Sequence, residues 1–286
     1  MGTKANSGII WANNIKTVIL LGGMMGLFVA VGSLWGMQGM IFALLFGGIM
    51  NVVAWFFSDT IAIKAMRAHP VSPEGDLYKM VEELAYVAGI PTPKVYVAPH
   101  DAPNAFATGR SPKKAAVCFT EGAIKLLSHD ELRGVAAHEL AHIKNRDTLT
   151  SCIAATVAGV LAFLAQWGFW IFRGDSRNVN PLVMIGVVII AAVGAALIKA
   201  MISRSREYVA DADGAAIAGS PSGLISALQK LDAYSKRIPL MQPNPAQNNL
   251  FIVEPLSGGG MGNTLVNLFA THPPTEKRIA ALRSAR

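Results

Sequence analysis

The sequence predicts a mostly α-helical integral-membrane protein, with four transmembrane helices and a polar domain of helices and a small β-sheet. Composition is the first observation behind this prediction. Of the 286 residues, 52% are hydrophobic and only 15% are charged, whereas about a quarter of the residues in a soluble domain carry charge. The second observation is that the charged residues leave long stretches empty. Together these features disfavour a disordered chain or a soluble globular protein.

The uncharged stretches define the predicted membrane spans. No charged residue occurs between Lys16 and Asp59, a run of 42 residues. One helix of that length, at about 1.5 Å per residue, would be roughly twice as long as a bilayer core is thick, so we expect a hairpin. Two further uncharged runs, at 148–172 and 178–198, are separated by a short polar break. We therefore expect four spans, near residues 17–36, 39–57, 150–172 and 180–200.

Basic residues flank these spans unequally. Two arginines, Arg173 and Arg177, lie on one side. Nine lysines and arginines lie near the span ends on the side of both termini: Lys4, Lys16, Lys64, Arg67, Lys144, Arg146, Lys199, Arg204 and Arg206. The positive-inside rule then predicts that both termini and the polar segments are cytoplasmic. The expected organisation is a transmembrane hairpin at 1–57, a cytoplasmic segment at 58–147, a second hairpin at 148–201 and a cytoplasmic segment at 202–286.

The two cytoplasmic segments are expected to fold as one unit. The first has 11 basic and 11 acidic residues, which excludes a basic nucleic-acid-binding surface. Helical periodicity predicts helices, and β-branched or alternating runs between turn residues predict strands. The expected elements are helices at 75–88 and 221–235, strands at 94–97 and 115–120, an extended segment at 104–109, and a long loop or flap at 239–263.

The motif His138-Glu139-Leu140-Ala141-His142 carries the chemistry. Residues 128–131 have the spacing of a capping box, which predicts that a helix begins there and continues through the motif. Two histidines four residues apart lie on one helix face, so both rings can bind a single Zn²⁺ ion. The side chain of Glu139 can reach a water molecule beside the metal and take its proton.

A catalytic zinc ion needs a third protein ligand, and Glu207 is the candidate. It follows the fourth predicted span, with Asp211 one helical turn later. Asp211 could accept the free ring N–H of one ligand histidine and so fix its tautomer. The alternative is that both carboxylates form ordinary surface ion pairs with Arg204 and Arg206. Two membrane crossings separate His142 from Glu207, which returns both to the same side.

At these residues the chain resembles the HtpX-type integral-membrane zinc metalloproteases, which are related to the CAAX prenyl-protein endopeptidases. The resemblance covers nearly the whole chain. It rests on the two N-terminal spans and on Asn104-Ala105-Phe106-Ala107-Thr108-Gly109, Thr120-Glu121-Gly122, the His138–His142 motif with Asn145 and Asp147, Ser203-Arg204-Ser205-Arg206-Glu207-Tyr208-x-Ala210-Asp211, and Thr271-His272-Pro273-Pro274-Thr275-Glu276-Lys277-Arg278-Ile279.

The resemblance implies a gluzincin-like domain, one zinc ion per chain, and hydrolysis of peptide bonds in misfolded or damaged membrane proteins. It further implies a multi-pass protein of a bacterial inner membrane. The expected partners are polypeptide substrates and the lipid bilayer, and no nucleic acid is expected. The implied roles are zinc ligation by His138, His142 and Glu207, proton transfer by Glu139, ligand support by Asp211, peptide alignment by an edge strand of Asn104, Ala105, Phe106 and Ala107, and oxyanion stabilisation by His272 and Arg278.

Two alternatives remain open at this point. A prenyl-protein processing protease would share every catalytic residue, although such relatives usually have more spans enclosing an intramembrane chamber. A non-catalytic membrane scaffold with a structural zinc ion would need a fourth protein ligand, and none is evident near residues 207–213. The sequence does not indicate the oligomeric state.

Overall fold

The computed structural model describes residues 7–33, 36–151, 204–237 and 273–284. Two long helices come first, α1 (Ser7–Gly32) and α2 (Gly36–Ala65). The remaining described elements are β1 (His69–Pro70), α3 (Asp76–Ala88), β2 (Lys94–Ala98), β3 (Ala105–Ser111), β4 (Lys114–Thr120), α4 (Glu121–Leu126), α5 (His129–Lys144), α6 (Arg204–Ala218), α7 (Ser222–Arg237) and α8 (Thr275–Ser284).

The helices α1 and α2 pack against each other as an antiparallel hairpin. The rings of Phe28 and Phe46 meet edge to face with their centroids 5.7 Å apart, and the Asn51 side chain donates a hydrogen bond of 3.1 Å to the Leu21 carbonyl. Segments Ile10–Ala30 and Gly36–Phe57 are long and apolar enough to cross a bilayer. Their large apolar side chains are mostly exposed, as lipid-facing residues are.

The first two predicted spans are confirmed as long apolar helices, but their bounds differ from the prediction. The helix α1 begins ten residues before the predicted start at residue 17, and α2 continues to Ala65. Absence of charge marks only the part of a helix that contacts lipid, whereas both helices continue into the polar domain. The spans predicted at 150–172 and 180–200 and the loop predicted at 239–263 lie almost entirely outside the described residues.

A four-stranded sheet, in the order β1-β2-β4-β3, lies between the end of α2 and the helices of the polar domain. Strand β4 pairs parallel with β2 and antiparallel with β3. Alternate side chains point to opposite faces, so Val117 and Phe119 join the main core while Cys118 packs against Ile63 and Met66 from the end of α2. The end of α2 is therefore packed against the sheet of the polar domain, in a small cluster separate from the main core.

Helix α5 is the centre of the main core and has the capping box that the sequence predicts at Ser128 and Glu131. The Glu131 carboxylate also accepts hydrogen bonds from Ser226 and Lys230 of α7. Burial by itself raises the pKa of Glu131, but these donors outweigh it and hold the pKa at about 2. An ionised Glu131 therefore fixes the start of α5 to α7.

The other predicted elements of the domain are confirmed within a few residues. Helices α3 and α7 and strands β2 and β4 match their predicted ranges, and the extended segment at 104–109 forms β3. Helix α3 ends where predicted, because Gly89 adopts the left-handed conformation, with φ of 71°, that closes a helix C-terminus.

Candidate metal centre

Three side chains converge on one point between α5 and α6. The Nε2 atoms of His138 and His142 are 3.2 Å apart. A carboxylate oxygen of Glu207 lies 3.7 Å from Nε2 of His138, and the other lies 3.6 Å from Nε2 of His142. A metal ion about 2.0–2.1 Å from each of two ligands at the tetrahedral angle holds those ligands roughly 3.3 Å apart. The two ring nitrogens and a carboxylate oxygen of Glu207 therefore lie close enough to one another, all within 4.8 Å, to bind one zinc or similar metal ion.

A glycine lets α6 approach α5 closely enough for Glu207 to reach this point. A Cβ atom at Gly214 would lie 2.9 Å from both the Cα and the backbone nitrogen of His138, which is closer than packed atoms allow. Because α6 crosses α5 against the backbone of His138, Glu207 lies two helical turns away from the crossing and beside both histidines.

Asp211 lies beside the ring of His138, on the side of Nδ1. Its carboxylate oxygen Oδ1 is 3.1 Å from Nδ1 of His138, close enough to accept the ring N–H and leave Nε2 to the metal. Arg278 of α8 donates from Nε and Nη2 to the two oxygens of Asp211 at 2.8 Å and 2.7 Å. Burial raises the pKa of Asp211, but Arg278 and His138 outweigh it and hold the pKa at about 2.

A second carboxylate, Asp147, supports the ring of His142, and our sequence interpretation assigned it no role. Its Oδ2 atom is 3.0 Å from Nδ1 of His142. The chain turns back towards His142 because Arg146 adopts a left-handed conformation with φ of 57°. That conformation costs an ordinary residue about 1–2 kcal/mol and is usually adopted by glycine or asparagine, so an arginine at this position does not predict a turn.

Glu139 lies beside the metal position and next to the edge of the sheet. The side chain is buried, and the Ala107 backbone N–H of β3 donates a hydrogen bond to its carboxylate. Burial raises the pKa of Glu139. A carboxylate with a raised pKa, held near the metal position, suits a group that accepts and returns a proton.

The charges around the donor atoms favour a divalent cation. Among the described residues, six buried charged side chains surround the donor atoms, four carboxylates and two guanidinium groups, which leave two negative charges: Glu139, Asp147, Glu207, Asp211, Arg206 and Arg278. The same excess of negative charge acts on the ring of His142. Burial lowers the pKa of this ring, but Asp147 and Glu207 outweigh burial and raise the pKa to about 9. A bound divalent cation would offset this negative charge.

The other residues that the sequence analysis named fall in three places. Arg278 is fully buried at the site, with Nη1 at 3.7 Å from Glu207. Residues 104–107 lie at the start of β3, at the end of the described sheet, where they are buried. His272 lies outside the described residues.

Comparison with known proteins places these features in a family context. Residues 72–286 match the family model described as Peptidase family M48. A "Protease HtpX homolog" of Desulfatibacillum aliphaticivorans is 51% identical over 284 residues, covering 96% of this chain and 90% of that protein. The "Protease HtpX" of Legionella pneumophila (strain Corby) is 45% identical over 280 residues, covering 95% and 99%.

A solved structure has a similar fold. The crystal structure of S. mikatae Ste24p matches with a TM-score of 0.51 and 20% sequence identity. The match covers 97% of this chain but 66% of the Ste24p chain, just under two thirds of its length. At this level of identity the similarity is one of fold.

Proposed function

This chain belongs to peptidase family M48, and from that premise we propose that it is a zinc-dependent membrane endopeptidase whose single metal ion is held by His138, His142 and Glu207. Family membership makes the chain a membrane metallopeptidase. The observation that carries the finer proposal is the convergence of the three side chains beside the buried carboxylate of Glu139. The two Nε2 atoms are 3.2 Å apart, and the two carboxylate oxygens of Glu207 lie 3.7 Å from Nε2 of His138 and 3.6 Å from Nε2 of His142.

The proposed chemistry is hydrolysis of an amide without a covalent intermediate. A bound zinc ion supplies Lewis acidity, which polarises a carbonyl group and makes water more acidic. Glu139 accepts the proton of the attacking water and returns it to the leaving amine. Asp147 accepts the Nδ1 proton of His142, and Asp211, at 3.1 Å from Nδ1 of His138, would do the same for His138 once the metal is bound, which would leave both Nε2 atoms to the metal.

Arg278 has two roles in the proposal. Its bidentate hydrogen bonds to Asp211 hold the carboxylate that orients His138. Its Nη1 atom, which lies on the side of Glu207, is the part of the guanidinium that could stabilise an oxyanion. Oxyanion stabilisation by Arg278 and His272 stays a prediction, as does ligand support by Asp211.

We propose that the substrate pairs with the edge strand at residues 104–107. Support comes from the position of β3 at the end of the described sheet and from the bond between the Ala107 N–H and Glu139. A peptide that adds to a sheet edge is held by its backbone, which accepts varied side chains. Loose selection of this kind suits a protease that removes misfolded or damaged membrane proteins.

The test of this function is cleavage of a membrane substrate by the purified protein. We expect a membrane-anchored substrate with an unfolded polar tail to be cleaved, and the same substrate with a stably folded tail to be cleaved slowly. A chelator should abolish cleavage, and added Zn²⁺ should restore it, because metal removal takes away the Lewis acid. Cleavage products are followed by gel electrophoresis and mass spectrometry.

Two comparisons make the result decisive. The Glu139→Gln variant, purified in parallel, reports cleavage by contaminating proteases. A prenylated peptide and its unprenylated copy separate general endopeptidase activity from the prenyl-protein alternative: preference for the prenylated peptide would favour that alternative. Wild-type cleavage that does not exceed the level of the variant, or an excess over that level that resists the chelator, would contradict the proposal.

We also propose that the catalytic domain is cytoplasmic and that the chain crosses a bacterial inner membrane four times. Support comes from the excess of basic residues at the domain-side ends of the spans. Both ends of the α1–α2 hairpin also contact the domain, through Asn13 near the start of α1 and Met66 just after α2. The turn between the two helices then faces the opposite side.

Cysteine labelling in intact cells tests this topology. After replacement of Cys118 and Cys152, an impermeant thiol reagent should label Met37→Cys and Ser176→Cys but not Tyr86→Cys. Met37 and Tyr86 are both exposed, so protection of the latter reports membrane side rather than burial. Labelling of Tyr86→Cys alone would invert the orientation. Protection of Ser176→Cys with labelling of Met37→Cys would remove the third and fourth crossings.

A further inference from the structure

Helix α1 presents two buried polar side chains to the catalytic domain. Asn13 and Thr17 lie one turn apart, each with 2% exposure, while Asn14 beside them is exposed. A polar side chain in an apolar helix is costly unless it has hydrogen-bond partners. The partners of Asn13 and Thr17 lie just beyond the metal-binding helix α5.

The side-chain amide of Asn13 has two acceptors, both more than 130 residues away. Its Nδ2 atom donates to the backbone carbonyl of Asn145 at 3.0 Å and to Oδ1 of Asp147. One NH₂ group has two hydrogens, so it can serve both acceptors at once. One turn along α1, the hydroxyl groups of Thr17 and Thr150 are 3.0 Å apart, and Thr150 also donates to the Asn13 carbonyl at 3.3 Å.

These contacts continue directly to the metal centre. Asn13 binds one oxygen of Asp147, and the other oxygen of Asp147 is 3.0 Å from Nδ1 of His142. We propose that Asn13, on the first membrane helix, is a positioning residue for the metal centre, which acts by fixing the Asp147 carboxylate that orients His142. The inference rests on the proposed metal site and adds to it a residue from the membrane anchor.

Asp147 needs such a restraint because another partner is within reach. The Nε atom of Arg206 lies 3.8 Å from the same oxygen, Oδ1, that Asn13 binds. A carboxylate that rotated to make a full bidentate pair with the arginine would leave Nδ1 of His142 without its acceptor. The Asn13 amide occupies Oδ1 from the side of α1 and thereby keeps Oδ2 directed at the histidine.

The test is a zinc-binding cycle on the purified full-length protein, with affinity measured by competition against a chromophoric chelator. Loss of a group that orients a ligand histidine lowers metal affinity by about 10–100-fold, and we expect this for Asp147→Ala. Asn13→Ala should weaken zinc binding by about three- to tenfold, because it acts one step further away. The double variant should bind zinc no more weakly than Asp147→Ala alone, because Asn13 acts only through Asp147.

Two control variants separate this effect from looser packing of α1. Asn14→Ala removes the same type of side chain from the exposed neighbouring position and should leave zinc affinity unchanged. Thr17→Val removes the contact with Thr150 but does not touch Asp147, so it should weaken zinc binding less than Asn13→Ala. If Asn13→Ala fails to fold, Asn13→Leu fills the same space without donors and replaces it in the cycle.

The possible results are distinct. Additive losses in the double variant, or an equal loss in Thr17→Val, would show that Asn13 only packs the helix, and would overturn the inference. Unchanged affinity in both Asn13 variants would overturn it as well. If the wild type itself binds no zinc, or Glu207→Ala binds it normally, the proposed metal site fails rather than the role of Asn13.

Discussion

Glu139→Gln is expected to abolish peptide hydrolysis while the protein still binds one zinc ion per chain. A neutral amide cannot accept the proton of the attacking water, whereas all three proposed ligands remain. Positioned acid–base groups contribute about 10²–10⁴-fold to rate, so we expect a loss of at least about 100-fold. The amide has nearly the shape of the carboxylate, and its oxygen can still accept the Ala107 N–H that binds Glu139.

The measurement combines turnover of a quenched peptide with zinc content by atomic absorption. Glu82→Gln makes the same chemical change at an exposed residue of α3 and should leave both values unchanged. Zinc-dependent turnover at the wild-type rate in Glu139→Gln would assign proton transfer to another group. Loss of zinc in this variant would mean that Glu139 is itself a ligand.

The Glu207→Ala variant should no longer bind one zinc ion per chain and should have no proteolytic activity. Two histidines alone leave the metal without its third protein ligand, and we expect affinity to fall by more than about 100-fold. Asp211→Ala, by contrast, keeps all three ligands and should weaken binding by about 10–100-fold. Zinc titration with a competing chelator measures the affinity of both variants. If Glu207→Ala does not fold, Glu207→Gln, which keeps the shape of the side chain, replaces it.

The matched control for Glu207 is Asp213, another carboxylate on α6. Asp213 accepts a hydrogen bond of 2.8 Å from the Asn145 side chain, so Asp213→Ala should affect stability more than zinc binding. If zinc content is normal in Glu207→Ala, the third ligand lies elsewhere, with Asp213 and His129 as the next candidates. The exposed His129 at the start of α5 is nine residues before His138, and that distance makes it the weaker of the two.

The sequence predicts those parts of the site that depend on local spacing. His138, Glu139 and His142 lie on one helix, and their arrangement follows from its period. The capping box at Ser128 and the carboxylate pair Glu207 and Asp211 follow from the same kind of argument. In each case the relevant partners are three or four residues apart, and the backbone geometry is fixed once the helix forms.

The contacts that the sequence interpretation missed join distant parts of the chain. Asn13 and Asp147 are 134 residues apart, and neither spacing nor composition relates them. The available signal is the polar pair Asn13 and Thr17 on one face of a mostly apolar helix, which indicates a buried polar contact but not its partner. The turn at Arg146 has no glycine to mark it, so the return of the chain towards His142 is visible only in three dimensions.

The distance along the chain between the ligands has a consequence for biosynthesis. His138 and His142 come together as soon as α5 forms, but Glu207 is 65 residues further on, beyond two uncharged runs, and Arg278 follows near the C-terminus. Closing such long loops is slow compared with forming a helix, and metal affinity appears only when the ligands meet. A growing chain therefore carries an incomplete centre until Glu207 has been made. We expect its proteolytic activity to begin only after the two uncharged runs and the helix that carries Glu207 have been synthesised.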